Sequence, residues 1–171
     1  MKNVVLVGFM GCGKTTVGMR LSYRLKKAVE DTDKRIEREQ GMAVSEIFRQ
    51  YGEGHFRDLE TELLQRMCRE NVTRIIATGG GLPIREENRE LLHRLGHVIY
   101  LRIRPETVYE RLKDDHTRPL LQGENPQAKI QRLMEERREI YQAAADSVID
   151  VDELTTEEIL QKIEDAIKEE E

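Results

Sequence analysis

Short apolar runs alternate with amphipathic stretches along most of the chain. Continuous apolar runs, typical of strands buried on both faces of a sheet, occupy residues 4–7, 74–77, 97–101 and 147–150. Residues 28–31 form a fifth strand candidate. Helical spacing and end signals predict helices at residues 14–27, 33–40, 45–51, 56–70, 86–95, 126–145 and 155–167, and Pro105 opens one more. Gly41, Gly52 and Gly96 are expected to end helices.

The alternation of strands with helices predicts the fold class. Such a chain forms right-handed crossovers and a parallel sheet that is covered on both faces. We therefore predict an α/β three-layer sandwich with a five-stranded parallel sheet, built as one domain over residues 1–171. Residues 114–125 are polar, contain glycine and proline, and are expected to form a mobile loop.

A glycine-rich segment follows the first predicted strand. Gly8-Phe9-Met10-Gly11-Cys12-Gly13-Lys14-Thr15 matches the pattern GxxxxGK[ST], and an amphipathic helix is predicted directly after it. The glycines allow a turn in which several backbone N–H groups point at one phosphate, and the helix adds its positive N-terminal end. Lys14 is expected to reach the β- and γ-phosphates, and the Thr15 hydroxyl to ligate Mg²⁺. The segment predicts a P-loop that binds a nucleoside triphosphate with Mg²⁺.

Composition excludes several other classes of protein. The chain is 38% hydrophobic and 36% charged, with a formal net charge of −5. Its longest apolar run is far shorter than the ~20 residues of a membrane span and too short for a signal peptide. An acidic chain is a poor candidate for binding nucleic acid. Two cysteines and four histidines show no metal-ligand spacing, so we expect a reduced, cytoplasmic protein without a zinc site.

Two groups of charged residues indicate an acceptor for the phosphate. Asp31 and Asp33 lie two residues apart, and on an extended segment their carboxylates would face the same way. One could contact Mg²⁺ through water while the other holds an acceptor hydroxyl; a turn that caps the next helix is the alternative. Arg57 and Glu60 are three apart on a predicted helix. Pairing there would orient the guanidinium to bind an anion, or would form only a surface ion pair.

Three further segments are candidates for contacting small ligands. Gly79-Gly80-Gly81 follows a buried strand, where parallel sheets bind ligands, and leaves room for a substrate. Arg118 lies in the polar loop, from which it could close over ATP and neutralise transition-state charge. Arg137 and Arg138 lie on the next helix ahead of Tyr141, and spacing alone favours neither arginine.

Taken together, these motifs resemble those of the shikimate kinases. The P-loop, Asp31-Thr32-Asp33, GExxFRxxE at 52–60, TGGG at 78–81 and RPLL at 118–121 have the same order and similar spacing in that family. The resemblance covers residues 3 to about 151. It implies a nucleoside monophosphate kinase type of fold, with a substrate-binding insertion at about 33–60 and a lid at about 112–125. It also implies transfer of the ATP γ-phosphate to the 3-hydroxyl of shikimate, a step toward chorismate and the aromatic amino acids.

The resemblance implies roles for individual residues as well. ATP would contact Gly11, Cys12, Gly13, Lys14, Thr15, Thr16, Arg111 and Arg118, with Arg111 flanking the adenine. Shikimate would contact Asp33, Arg57, Gly79, Gly80, Gly81 and Arg137. Lys14, Asp33 and Arg118 would be catalytic, with Asp33 activating the substrate hydroxyl. Mg²⁺ would be held by Thr15, and by Asp31 through water.

One segment departs from the family pattern. Where the family has R-x-P-L-Y, this chain has Arg137-Arg138-Glu139-Ile140-Tyr141. Tyr141 aligns, so Arg137 is the candidate for binding the substrate carboxylate, and Arg138 is the alternative. Two other functions stay open: a kinase of gluconate or of a nucleoside monophosphate, and a non-catalytic nucleotide-binding module. We expect a monomer whose partner is the small-molecule substrate.

Overall fold

The computed structural model describes residues 2–115 and 122–169. Its strands are β1 (Asn3–Val7), β2 (Ala28–Asp31), β3 (Arg74–Ala77), β4 (Gly96–Arg102) and β5 (Ser147–Asp150). Its α-helices are α1 (Lys14–Leu25), α2 (Thr32–Gln40), α3 (Val44–Met67), α4 (Glu86–Leu95), α5 (Pro105–Leu112), α6 (Pro126–Ala144) and α7 (Thr156–Lys168). A short 3-10 helix (Leu82–Ile84) precedes α4. Arg118 and the rest of 116–121 lie outside the described residues, as does part of the predicted lid.

The strands form one sheet in the order β2-β3-β1-β4-β5, and each of the four pairings is parallel. The predicted five-stranded parallel sheet is therefore confirmed. Strand β1 is central, and Val5, Leu6 and Val7 are completely buried, as expected for a strand covered on both faces. Because parallel strands end at the same edge, the segments after β1, β2 and β3 are brought side by side.

Helices cover both faces of the sheet. Helix α1 packs against β2, β3 and α7, while α4 and α6 pack against β4 on the other side. Apolar side chains from both helical layers and the sheet form a continuous core. No helix of the described residues is long and apolar enough to cross a membrane.

Gly52 and Gly96 end helices as predicted, whereas two predicted helix ends were wrong. Helix α3 contains the two helices predicted at 45–51 and 56–70, because Gly52 (φ 84°, ψ 168°) is non-helical and breaks it in two; the second part ends at Met67 rather than at residue 70. Helix α1 stops at Leu25 because Lys26 adopts the left-handed conformation. Gly96 ends α4 as predicted, with its N–H donating to the carbonyl of Leu92, and it also begins β4, where a side chain would collide with the backbone of Asn3.

Candidate active site

The loop between β1 and α1 is shaped by glycines. Gly11 and Gly13 have φ angles of 79° and 99°, which side-chain-bearing residues rarely adopt. The N–H of Cys12 donates to the carbonyl of Phe9 at 3.2 Å and closes the turn. No side chain caps the N-terminus of α1. The first N–H groups of this helix are therefore left without a side-chain acceptor. This geometry is that of a P-loop.

Lys14 folds back over the loop. Its Nζ donates to the carbonyls of Gly8 and Phe9 at 2.6 and 3.1 Å and lies 3.6 Å from the Sγ of Cys12. The ammonium is thereby held among the backbone groups expected to surround phosphates. Cys12 is 1% exposed and is packed inside the loop, while Thr15 is exposed in the first turn of α1.

The glycine turn, residues 79–81, faces three charged side chains. A Cβ added at Gly79 would lie 3.1 Å from the Cγ of Asp33, and one at Gly81 would lie 2.6 Å from the Cζ of Arg57. At Gly80 an added Cβ would lie 3.7 Å from an Nη of Arg137. Gly79 and Gly81 therefore make room for the side chains of Asp33 and Arg57, whereas at Gly80 a Cβ would be in ordinary contact with Arg137. The sequence had predicted this space only for a substrate. Asp33, Arg57 and Arg137 meet at this turn from α2, α3 and α6.

The pair Asp31 and Asp33 is not arranged as the extended segment predicted. Strand β2 ends at Asp31, whose Oδ1 accepts from the N–H of Lys34 at 3.1 Å and caps α2, while Asp33 is helical. The Oγ1 of Thr32 accepts from the N–H of Gly79 at 3.0 Å and holds the start of α2 against the glycine turn. Sequence reasoning missed Thr32, since a threonine between two aspartates gives no sign that it is fully buried.

Asp33 carries an unsatisfied acceptor. Among the described residues its buried Oδ1 has no hydrogen-bond partner. Burial and the neighbouring charge of Asp31 raise the pKa of the carboxyl from 3.8 to about 6, against the opposing effect of Lys14 and Arg57. At neutral pH Asp33 is therefore mostly ionised and can act as a hydrogen-bond acceptor.

Arg57 is held in a fixed orientation on α3. Its guanidinium donates to Glu60 at 2.5 Å and to Glu53 at 3.2 Å, and it lies 6.0 and 5.5 Å from the ring centres of Phe48 and Phe56. The predicted Arg57–Glu60 pair is thus present, and Glu60 is completely buried rather than on the surface. Burial raises the pKa of Glu60 to about 7, although Arg57 acts to lower it.

Arg137 and Arg138 point in different directions. Arg137 is half-buried beside Gly80, with its guanidinium 5.8 Å from the ring centre of Phe9. Arg138 is exposed and lines a separate cleft with Arg102 and other residues of β4 and β5. Helix α6 runs unbroken through Glu139, so the missing proline of the family pattern does not disturb this arrangement. The structure brings Arg137 to the glycine turn and leaves Arg138 outside.

Arg111 lies at the P-loop. Its guanidinium donates to the carbonyl of Gly11 at 2.8 Å from the last turn of α5. This places it at the edge of the expected nucleotide site, and its contact with adenine stays a prediction. Arg118 is not among the described residues, so its predicted role in the lid also stays a prediction.

The fold and this site define a P-loop phosphotransferase whose acceptor site lies beside the loop. Comparison with known proteins identifies the family within this class. A family model for shikimate kinase matches residues 10–168. The chain therefore belongs to the shikimate kinase family.

Individual relatives agree with this family. The shikimate kinase of Thermodesulfovibrio yellowstonii is 44% identical over 163 residues, which cover 95% of this chain and 93% of the relative. The shikimate kinase of Acinetobacter baumannii, solved in complex with shikimate, superposes with a TM-score of 0.92 at 37% identity, covering 100% of this chain and 95% of that one. A gluconokinase from Sinorhizobium meliloti has a TM-score of 0.58 at 12% identity, covering 98% of this chain and 92% of that one, which shows only the shared fold.

Proposed function

We propose that this chain transfers the γ-phosphate of ATP to the 3-hydroxyl of shikimate, giving shikimate 3-phosphate and ADP. The observation that carries the proposal is the convergence of Asp33, Arg57 and Arg137 on the glycine turn. Two guanidinium groups suit a carboxylate, and an ionised carboxylate with an unsatisfied oxygen suits a hydroxyl donor. Shikimate combines both groups. The relative from Acinetobacter baumannii that was solved with shikimate supports the same acceptor.

Different residues bind the nucleotide and the acceptor. The P-loop N–H groups and Lys14 bind the phosphates, and Lys14 exchanges the carbonyls of Gly8 and Phe9 for phosphate oxygens. Arg57 and Arg137 bind the acceptor carboxylate and thereby select which hydroxyl faces the nucleotide. Asp33 accepts the hydrogen bond of that hydroxyl and takes its proton as the oxygen attacks phosphorus. Catalysis then consists of positioning and of neutralising charge.

Mg²⁺ fits this site only together with the nucleotide. Within residues 2–115 and 122–169, no group of three or more His, Cys, Asp or Glu side chains is arranged to hold a metal ion. Magnesium in kinases keeps several waters and is bound by one or two protein oxygens plus substrate phosphates, where it neutralises the charge of the phosphate oxygens. The exposed Thr15 hydroxyl would be the direct protein ligand, and Asp31 would contact the metal through water.

An assay of ADP release with and without shikimate tests the proposal. We expect ADP release to require shikimate, and gluconate and nucleoside monophosphates to be turned over much more slowly. Asp33→Asn should abolish most of the shikimate-dependent rate. Asp165→Asn, which changes an aspartate on α7 far from the site, is the matched control and should retain it. Faster turnover of gluconate or a monophosphate would contradict the proposed acceptor, and ATP binding without turnover of any acceptor would favour a non-catalytic module.

The other expectations from the sequence stand as proposals. The side chains that meet at the glycine turn all come from one chain, which supports a working monomer, and size-exclusion chromatography with light scattering tests it. We also propose contacts of ATP with Gly11, Cys12, Gly13 and Thr16, closure of Arg118 over the phosphates, and a cytoplasmic location. These proposals are supported by the family to which the chain belongs.

A further inference from the structure

Tyr141 is attached to the glycine turn by a single polar contact. Its side chain is 1% exposed on α6, and its hydroxyl donates to the carbonyl of Gly80 at 2.6 Å. The sequence pattern marked this tyrosine only as an alignment point. Gly80 is the middle residue of the turn, between the glycines that face Asp33 and Arg57.

The same hydroxyl lies beside Arg137. The two residues are one helical turn apart, so their side chains project from the same face of α6. Burial raises the pKa of Tyr141, whereas the charge of Arg137 and its hydrogen bond to the tyrosine act to lower it. The ring of Tyr141 packs against the ring of Tyr100, with ring centres 5.2 Å apart, and this contact restricts the movement of the Tyr141 side chain. Tyr141 therefore connects Arg137 to the backbone of the glycine turn.

A turn of three glycines needs such a restraint. Glycine has more accessible backbone conformations than any other residue, so an unrestrained turn would spread over several of them. A bond to the central carbonyl reduces this freedom at the point between the Asp33 and Arg57 contacts. Losing it would leave a carbonyl without its partner and would let the turn move relative to α6.

We propose that Tyr141 is a positioning residue for acceptor binding: by holding the carbonyl of Gly80, its hydroxyl sets the distance between the glycine turn and Arg137. This inference rests on the proposed function, because the acceptor carboxylate is assigned to Arg57 and Arg137. Tyr141 itself does not contact the reacting atoms in this scheme. It acts through the turn and through the arginine.

The test replaces one hydroxyl at a time in the same aromatic pair. Tyr141→Phe removes the bond to Gly80 and keeps the ring. Tyr100→Phe is the matched control, because it removes the hydroxyl of the neighbouring buried ring, which makes no described contact with the turn. We expect Tyr141→Phe to raise the KM for shikimate about tenfold, as loss of one buried hydrogen bond predicts, and to leave the KM for ATP within about twofold. Tyr100→Phe should change neither constant by more than about twofold.

Two further measurements separate positioning from a general structural role. The rise in melting temperature caused by shikimate should be smaller in Tyr141→Phe than in wild type, whereas the rise caused by ATP should be equal. In an Arg137→Ala background, Tyr141→Phe should raise the shikimate KM by a smaller factor than it does in the wild type. Equal changes in both KM values, no change in either, or the same factor in the Arg137→Ala background would overturn the inference. Wild-type enzyme without shikimate-dependent turnover would instead contradict the proposed function.

Discussion

Helices α2 and α3 carry two groups of charged side chains, and the two groups differ in how fully they are paired. At the glycine turn, Asp33, Arg57 and Glu60 are largely buried, and each has a buried atom without a hydrogen-bond partner among the described residues. In the second group the charges are paired across α2, α3 and the strands beside them. That network consists of Glu30, Arg35, Arg38, Glu39, Arg66, Glu70 and Arg74, with several contacts of 2.6–3.1 Å.

The difference indicates which of the two groups is adapted to binding a ligand. A buried polar atom without a partner costs about 1–3 kcal/mol, so the chain carries these groups at the expense of its own stability. The ion pairs of the second group are only partly buried; such pairs contribute about 1 kcal/mol or less each when water still reaches them, and the paired groups have little capacity left for binding a ligand. Substitutions in the group at the glycine turn should therefore affect catalysis, and substitutions in the ion-pair network should affect only stability.

The largest effect is expected for Asp33→Asn. Turnover should fall by a factor of about 10²–10⁴, because the amide cannot take the acceptor proton, and the affinity for ATP should stay within about twofold. The same variant should unfold with a higher free energy at pH 8, by up to about 3 kcal/mol, which corresponds to a pKa raised from 3.8 to about 6. Coupled ADP release, ATP titration and urea unfolding measure the three quantities. Normal turnover would remove Asp33 from the mechanism.

Arg57→Ala is expected to change the KM for shikimate much more than the KM for ATP. The KM for shikimate should rise about 10- to 100-fold, as the loss of a charged hydrogen bond predicts, while the KM for ATP changes by less than about threefold. Initial-rate kinetics with each substrate varied in turn measure both constants. A larger change in the ATP constant would contradict a role in binding the acceptor.

Arg35→Ala is the control for Arg57→Ala, since Arg35 also pairs with two glutamates, Glu39 and Glu70, but in a partly buried network away from the glycine turn. Both KM values should stay at the wild-type level. The free energy of unfolding should fall by about 1 kcal/mol at low salt and by less in 1 M salt, where charges are screened.

Adjacent arginines on α6 provide a second contrast. Arg137→Ala should raise the shikimate KM about tenfold, because one of the two cations for the carboxylate is lost. Arg138→Ala should change it by less than about twofold, since this side chain faces another cleft. The same initial-rate measurement decides, and equal effects of the two substitutions would show that the acceptor carboxylate is bound elsewhere.

Glu60 is expected to affect how stability depends on pH, without a direct contact to either substrate. Burial raises the pKa of Glu60 from 4.5 to about 7, so the folded state binds this proton more tightly than the unfolded state. Its contribution to stability is therefore present below about pH 4.5 and is lost as the pH rises toward 7. Between pH 5 and pH 8, the free energy of unfolding measured in urea should fall by about 1–3 kcal/mol less in Glu60→Gln than in wild type. Parallel pH profiles would contradict the direction of this pKa shift.

The motifs of the site were predictable because each is a local pattern. The spacing of glycines before Lys14 predicts a P-loop wherever a strand precedes it and a helix follows. The position of the glycine turn after β3 follows from one buried run. The Arg57–Glu60 pair follows from helical spacing, although its burial does not. Asp33 lies beside the glycine turn, but not by the predicted geometry, since the backbone turns into α2 at Thr32 instead of staying extended; its role stays a prediction.

The amino-acid sequence by itself determined the five strands, the helices between them and the loop that binds phosphate, because hydrophobic period and glycine spacing act over a few residues. Only the tertiary structure decided that Arg137 rather than Arg138 faces inward, that Gly79 and Gly81 leave room for Asp33 and Arg57, and that Tyr141 holds Gly80. These features depend on how α2, α3 and α6 are rotated against the edge of the sheet. That rotation is set by packing between residues far apart in the chain, which no local pattern encodes.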